Sequence, residues 1–165
     1  MDLNFRKYLR NKSLPLIEQK IALSQAYPCS TCRLVRNVLT WKATIKPTPF
    51  SRSYDATMIY NGHQQPRISI GGESLRRLDD PSFPHHYDID AARNTVRICL
   101  YYPGELDCSK PFSETIVPWI SEWLFHYEIW LATDRWSGGG IHPTSGKQTK
   151  SKSSWLNRRK GRQFG

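Results

Sequence analysis

The residue of this sequence most able to do covalent chemistry is Cys99, which lies in a strand-like run at residues 95–102. Aliphatic residues occupy every second position of the run, and Cys99 takes the other parity together with Arg97. Because successive side chains of a strand point to opposite faces, this alternation predicts a thiol that points away from the core. An accessible thiol beside an arginine can ionise and act as a nucleophile. The alternative is a small apolar filler, the role of most cysteines.

The other three cysteines are weaker candidates. Cys108 adjoins Asp107, and an adjacent carboxylate raises the pKa of a thiol, so Cys108 is predicted to be a bystander. Cys29 and Cys32 form a Cys-x-x-Cys pair, which is typical of half a zinc site or of a redox pair. The sequence has no second such pair, and this one precedes the first predicted strand. A structural role is therefore favoured, and neither a metal nor a cofactor is predicted.

Charge is distributed unevenly along the chain. The net charge is +10, yet residues 135–165 contain eight basic residues and no acidic one, which leaves the rest nearly neutral. We therefore expect one folded domain at residues 1–143 and a flexible basic tail at residues 144–165. Nucleic acid is a candidate partner through this tail alone. The sequence shows no apolar run of membrane length and no signal-peptide layout, which predicts a cytoplasmic protein with reduced thiols and no membrane partner.

The elements that must position Cys99 follow from hydrophobic periodicity. A helix is predicted at residues 13–26, with Ser13 as its N-cap and Leu14, Ile17 and Ile21 on one face. Three strands joined by short loops suggest an antiparallel meander, and their predicted ranges are 39–46, 54–60 and 66–70. Residues 73–94 have no sustained period, and such long irregular segments are usually functional or disordered.

A second helix is predicted at residues 115–132, from apolar residues that recur with a period of 3.6. Trp130 falls off its main stripe and is a candidate for exposure, and the Trp-Ser-Gly-Gly-Gly run at residues 136–140 is a candidate to fold back near Cys99. Strands clustered between helices imply an α+β fold.

This order of elements resembles the ubiquitin-conjugating (UBC) enzyme fold. The resemblance rests on the strand that contains Trp41, on the two strands after it, and on the Ile-Cys-Leu triplet at residues 98–100. Within that superfamily the chain is most similar to the bacterial conjugating enzymes of CBASS anti-phage operons. The motifs that carry this likeness are Pro-His-His-Tyr at 84–87, Cys-Leu-Tyr-Tyr-Pro at 99–103, a Trp-rich run at 119–130 and the Gly-rich run after it.

The resemblance implies an α+β, UBC-like fold in which an N-terminal helix, a meander sheet, an irregular segment with a catalytic cysteine and a C-terminal helix follow one another. It implies that Cys99 carries the C-terminal acyl group of a partner protein as a thioester and passes it to an amine, usually a lysine of an acceptor protein. The implied cargo is the C-terminal glycine of a CBASS nucleotidyltransferase, the operon's cyclic-oligonucleotide synthase. Activation of that acyl group must come from elsewhere, because the chain has no Gly-rich nucleotide loop.

The residue that supports the oxyanion stays open. UBC enzymes use the asparagine of a His-Pro-Asn triplet, and this sequence has no such triplet. His85 and His86 are the first candidates, followed by Asn94, while a purely structural role for the histidines is the alternative. Asp88, Asp90, Glu105 and Asp107 are the carboxylates near enough in sequence to help deprotonate an amine.

Two other functions remain as alternatives. One is a non-catalytic UBC-like binding module whose basic tail contacts nucleic acid or a partner protein. The other is a thiol oxidoreductase that uses Cys29 and Cys32, which would require a reducible disulfide between them.

Overall fold

A computed structural model gives the structure of the protein and describes residues 13–102 and 104–139. Two helices, α1 and α2, lie at opposite ends of this part of the chain, with six strands between them. Their bounds are α1 Leu16–Ala26, β1 Thr31–Val35, β2 Val38–Ile45, β3 Tyr54–Tyr60, β4 Arg67–Gly71, β5 His86–Asp90, β6 Thr95–Ile98 and α2 Ile116–Thr133. This arrangement is α+β and consistent with a UBC-like fold, as predicted.

The strands form one antiparallel sheet in the order β1-β2-β3-β4-β6-β5. The predicted meander is confirmed as β2, β3 and β4. Alternation places Tyr54, Met58 and Tyr60 in the core while the intervening residues face outward. The prediction missed β1, where only Cys32 and Leu34 are partly covered. Cys32 therefore lies on an edge strand rather than ahead of the first strand.

The segment predicted to be irregular contains a strand of its own, β5, which pairs with β6 at the other edge of the sheet. A bulge interrupts this pairing, since His86 pairs with Ile98 and Asp88 pairs with Arg97, which leaves Tyr87 as the extra residue. The predicted strand at 95–102 ends at Ile98, so Cys99 is the first residue after it. Alternation stops there as well, because Tyr101 is buried and its hydroxyl donates to the carbonyl of Pro66 at 3.1 Å.

Helix α2 buries a wider face than its main stripe predicts. Trp130 is only 2 % exposed, which contradicts its expected exposure. The cause is the segment between β4 and β5, which packs over this end of the helix. The guanidinium of Arg77 lies 4.3 Å above the Trp130 ring, and the Phe83 ring lies 5.5 Å away. The segment is therefore folded against α2 and brings its last residues toward Cys99.

Helix α1 begins three residues later than predicted, with Pro15 rather than Ser13 at its N-cap. Its apolar stripe is not its buried face, because Ile17 and Ile21 are each about half exposed. Gln19 and Leu23 are buried instead. The Gln19 amide donates to the carbonyl of Lys110 and accepts from the amide of Phe112, so a polar side chain joins α1 to the loop before α2.

The predicted tail at 144–165 lies outside the described residues, as does the domain boundary at 143. Within 13–102 and 104–139, no helix combines the length and the apolar character needed to cross a membrane.

Candidate functional site

Cys99 lines a cavity of about 320 Å³ between the end of β6 and helix α2. We call it the acidic cavity, because Glu105 and Glu122 are in its wall. Tyrosine and tryptophan side chains supply half of the remaining wall residues, namely Tyr101, Tyr102, Trp119, Trp123 and Trp136. The thiol is partly exposed, as the sequence predicts, and the cavity that it borders has both carboxylates and aromatic rings in its wall.

Tyr87 is the nearest side-chain partner of the thiol. The Sγ of Cys99 donates to the Tyr87 hydroxyl at 3.3 Å. The bulge explains this contact, because an extra residue in one strand re-aims its own side chain. The pKa of Tyr87 is raised to about 12. The hydrogen bond with Cys99 is the largest cause, and partial burial is the second. The phenol therefore keeps its proton throughout the neutral range.

Arg97 acts on Tyr87 rather than on the thiol. Its guanidinium carbon lies 4.6 Å above the Tyr87 ring, and its Nε donates to Asp88 on the neighbouring strand. The sequence placed Arg97 beside the cysteine. The structure shows that its charge is shared between an ion pair and an aromatic face.

Of the three candidates for oxyanion support, all of which the structure describes, His85 alone lines the acidic cavity. It is 5 % exposed, and its φ of +39° is rare for a side-chain-bearing residue. Its carbonyl accepts from the Cys99 amide at 2.9 Å and from the Trp123 indole at 3.2 Å, so it joins the end of β6 to α2. Its imidazole lies 4.8 Å from the Trp136 ring.

His86 and Asn94 are held elsewhere. The His86 ring contacts the Phe83 carbonyl at 3.0 Å through Nδ1, and Asn94 donates to the carbonyl of Gly72 at 2.7 Å. Asn94 occupies the turn between β5 and β6 with a φ of +48°, a conformation that asparagine adopts more readily than most residues. Neither side chain borders the acidic cavity, whereas both satisfy backbone groups.

Of the four carboxylates near Cys99 in sequence, the structure brings only Glu105 into the cavity wall. Its Oε2 accepts from the amide of Tyr102 at 2.9 Å. The other three serve local structure. Asp88 pairs with Arg97, Asp90 with Arg93, and Asp107 accepts from Ser109.

Sequence reasoning missed Tyr87, Glu122 and His126 as site residues. Tyr87 stood in the Pro-His-His-Tyr motif without a role. Glu122 and His126 lie on α2 in a stripe with Trp119 and Trp123, at a spacing of three, four and seven residues. Polar residues at such positions of an otherwise apolar helix face are the signal that would have found them.

The other cysteines lack a comparable setting. Burial raises the pKa of the Cys108 thiol, and Asp107 raises it further, as predicted. Burial also raises the pKa of Cys32, and Cys29 and Cys32 are both free thiols. Within the described ranges, no three side chains of the metal-ligating types converge as a metal site would require.

A second cavity of about 240 Å³ shares the wall residues Leu100 and Tyr101 with the acidic cavity. We call it the basic cavity, because Arg67 and Arg97 line it. Tyr87 belongs to its wall, so the hydrogen bond between Tyr87 and Cys99 connects the two cavities.

Comparison with known proteins gives the family. No curated protein matches the chain. The family model of the type II CBASS E2 proteins matches residues 19–143, a span that includes all six strands, α2 and every residue of both cavities. By this match the chain belongs to the type II CBASS E2 family, conjugating enzymes of anti-phage defence.

Proposed function

We propose that this protein is a cysteine-dependent acyl carrier. Cys99 forms a thioester with the C-terminus of a partner protein and then transfers the acyl group to an amine. One observation carries the proposal, namely that the Cys99 thiol opens into a cavity large enough for a peptide terminus while a phenol contacts its sulfur. Membership of the E2 family supports conjugation in general.

The reaction needs a thiolate, and Tyr87 suits that need. When Cys99 loses its proton, the sulfur can only accept, so the Tyr87 hydroxyl turns from acceptor to donor. A charge-assisted hydrogen bond of this kind favours the anion. The thiolate attacks the activated carbonyl and forms the C–S bond, the activating group leaves, and the thioester retains the acyl carbon. Amine attack later forms the C–N bond and returns the electron pair of the C–S bond to sulfur.

His85 is our candidate for support of the oxyanion, since its ring shares the cavity with the thiol. Its carbonyl also accepts from the Cys99 amide, which holds the backbones of the two residues next to each other. In this scheme His86 and Asn94 only position the β5–β6 region, because both side chains bond to backbone carbonyls.

The proposed cargo is the C-terminal glycine of the CBASS nucleotidyltransferase, and the proposed acceptors are lysine amines. The family places the protein in a CBASS system, which supports a partner from the same operon. The alternative is a non-catalytic UBC-like binding module whose basic tail contacts nucleic acid or a partner protein.

The test is intact-protein mass spectrometry of Cys99→Ser, co-expressed with the other proteins of its operon, because an ester outlasts a thioester. We expect an adduct of the nucleotidyltransferase that is removed by hydroxide and maps to residue 99. Cys108→Ser is the matched control and should carry no ester. If the folded Cys99→Ser protein acquires no adduct in the presence of its partner, the acyl-carrier function is wrong and the binding module takes its place.

A further inference from the structure

His126 is a second imidazole in the wall of the acidic cavity, in addition to His85. It lies on α2, and its side chain is 19 % exposed. Its ring lies 5.6 Å from the Trp136 ring, which contacts the His85 ring at 4.8 Å. The His126 ring is therefore packed against its neighbours and still borders the cavity that Cys99 lines.

The chain returns to the His126 ring after helix α2 ends. Asp134 adopts a φ of +58° at the end of α2, and Ser137 Oγ then lies 2.7 Å from His126 Nδ1. A Cβ atom at Gly138 would lie 2.8 Å from the Trp136 indole nitrogen and 3.0 Å from His126 Cδ2, so glycine permits this close approach. Nδ1 therefore has a hydrogen-bond partner, which fixes the orientation of the imidazole.

The other ring nitrogen of His126 lies near a carboxylate. Nε2 is 4.0 Å from Oε1 of Glu122, which precedes it by about one helical turn. The Glu122 side chain is 68 % exposed and lines the same cavity, so it is accessible to a cationic substrate. An ammonium group paired with Glu122 lies close to Nε2. The same carboxylate stabilises the imidazolium that forms when Nε2 takes a proton.

We propose that His126 is the general base for attack of the acceptor amine on the Cys99 thioester. This inference rests on the proposed function and adds a catalytic residue to it. Nδ1 keeps its proton and donates to Ser137, which leaves the lone pair of the ring on Nε2. Glu122 binds the ammonium of the acceptor, and Nε2 removes one of its protons. A positioned general base contributes roughly 10²–10⁴-fold to a rate.

The other titratable side chains in the wall of the acidic cavity suit this role less. Glu105 already accepts from the Tyr102 amide through Oε2. Burial raises the pKa of Tyr101 well above its usual range, so this phenol keeps its proton. His85 is only 5 % exposed and is our candidate for oxyanion support. Imidazole is the side chain best suited to accept and release protons near neutral pH, and His126 is the more exposed of the two.

The step balances in protons and electron pairs. Nε2 accepts one proton from the lysine ammonium, and the neutral nitrogen attacks the thioester carbonyl. The C–N bond forms, the C–S bond breaks, and its electron pair returns to the Cys99 sulfur. The second proton of the nitrogen goes to that sulfur, and the imidazolium releases its proton to solvent. The products are an isopeptide bond and a free thiol at position 99.

The test separates removal of the amine proton from the other steps. The full-length protein is charged with a synthetic peptide α-thioester that ends in glycine, freed of excess donor, and its Cys99 thioester is followed by intact-protein mass spectrometry. Free lysine must lose a proton before it attacks. Hydroxylamine is uncharged at neutral pH and needs no proton removed first, so it reports on access to the thioester alone.

His126→Asn is the informative variant, because the asparagine amide can still donate to Ser137 and has no group in place of Nε2. His63→Asn is the matched control, since His63 is exposed between β3 and β4 and lines neither cavity. If circular dichroism shows that His126→Asn is unfolded, His126→Gln replaces it, because it also lacks a basic nitrogen.

We expect His126→Asn to form the thioester as wild type does and to be discharged by saturating lysine about a hundredfold more slowly. The KM for lysine should change little, because Glu122 is retained. Discharge by hydroxylamine should equal that of wild type, and His63→Asn should match wild type in every rate.

Two results would overturn the assignment of His126 while leaving the carrier function intact. One is an unchanged rate with lysine, and the other is an equal loss with lysine and hydroxylamine, which would mean that the ring only supports the cavity wall. Failure of wild type to form any Cys99 thioester would refute the carrier function, and the general base with it.

Discussion

The two cavities beside Cys99 differ in charge although they share two wall residues, Leu100 and Tyr101. The acidic cavity contains the thiol together with two carboxylates. The basic cavity contains Tyr87 and two arginines, and the pair of Arg97 with Asp88 neutralises part of its charge. Carboxylates attract an ammonium group and guanidinium groups repel it. Under the proposed function we therefore expect an acceptor amine to approach Cys99 from the side of α2 rather than from the side of β4 and β5.

The largest effect is expected at Cys99, whose thiol lines the acidic cavity and bonds to Tyr87 in the wall of the basic cavity. Cys99→Ala should reduce acyl transfer by at least about 10³-fold, because the nucleophile is lost. Cys108→Ala should leave transfer unchanged. Acyl transfer from a synthetic peptide α-thioester that ends in glycine to free lysine measures the activity of both variants. Circular dichroism checks that each variant is folded. If Cys108→Ala stops transfer and Cys99→Ala does not, the wrong cysteine has been assigned.

A smaller effect is expected on the basic side. Tyr87→Phe removes the donor to the thiolate while keeping the ring under Arg97, so the iodoacetamide alkylation rate of Cys99 at neutral pH should fall about tenfold. The pKa of Tyr87, raised to about 12, keeps its donor proton in place across the measured range. Equal alkylation rates of the two proteins would show that Tyr87 does not support the thiolate.

The charge of the acidic cavity can be tested by comparing a cationic nucleophile with an uncharged one. Glu122→Gln should raise the KM for free lysine about threefold during discharge of the Cys99 thioester, since exposed charges contribute little each. Discharge by hydroxylamine, which is uncharged at neutral pH, should not change. Arg67→Gln is the control on the basic side and should alter neither rate. Equal effects of Glu122→Gln on both nucleophiles would mean that the residue shapes the cavity rather than selecting cations.

The smallest effect is expected at a residue that borders neither cavity. Asn94→Gly keeps the positive φ of the β5–β6 turn and loses only the hydrogen bond to Gly72. We expect transfer within about twofold of wild type and a stability lower by about 1 kcal/mol in urea unfolding. A tenfold loss of transfer with the stability preserved would restore Asn94 as an oxyanion donor.

Strands and helices with one fully buried face were predictable from the sequence. β3 has its predicted bounds because Tyr54, Met58 and Tyr60 alternate with outward residues, and α2 follows from its regular apolar period. Edge strands were missed because neither of their faces is fully covered. In β5, Tyr87 and Asp88 are exposed, so no alternation of apolar and polar residues marks the strand.

The site was predictable only where its chemistry is local. Cys99 and His85 were found from residue type and position in the chain. Glu122 and His126 share a helix face with Trp119 and Trp123, but only the packing of α2 shows that this face borders Cys99. Ile17 and Ile21 illustrate the same limit, because the backbone groups of Lys110 and Phe112 draw the polar Gln19 inward and turn the apolar stripe of α1 to solvent.

The carbonyl of His85 accepts two hydrogen bonds, one from the sheet side and one from a helix indole. We therefore expect the geometry at Cys99 to be lost in the same cooperative transition as the packing of α2. On heating, the Cys99 thiol should therefore lose its native position only when the packing around the core tryptophans is lost. Inactivation and the near-ultraviolet dichroism transition are expected to follow one curve, and an earlier loss of activity would show that the site opens on its own.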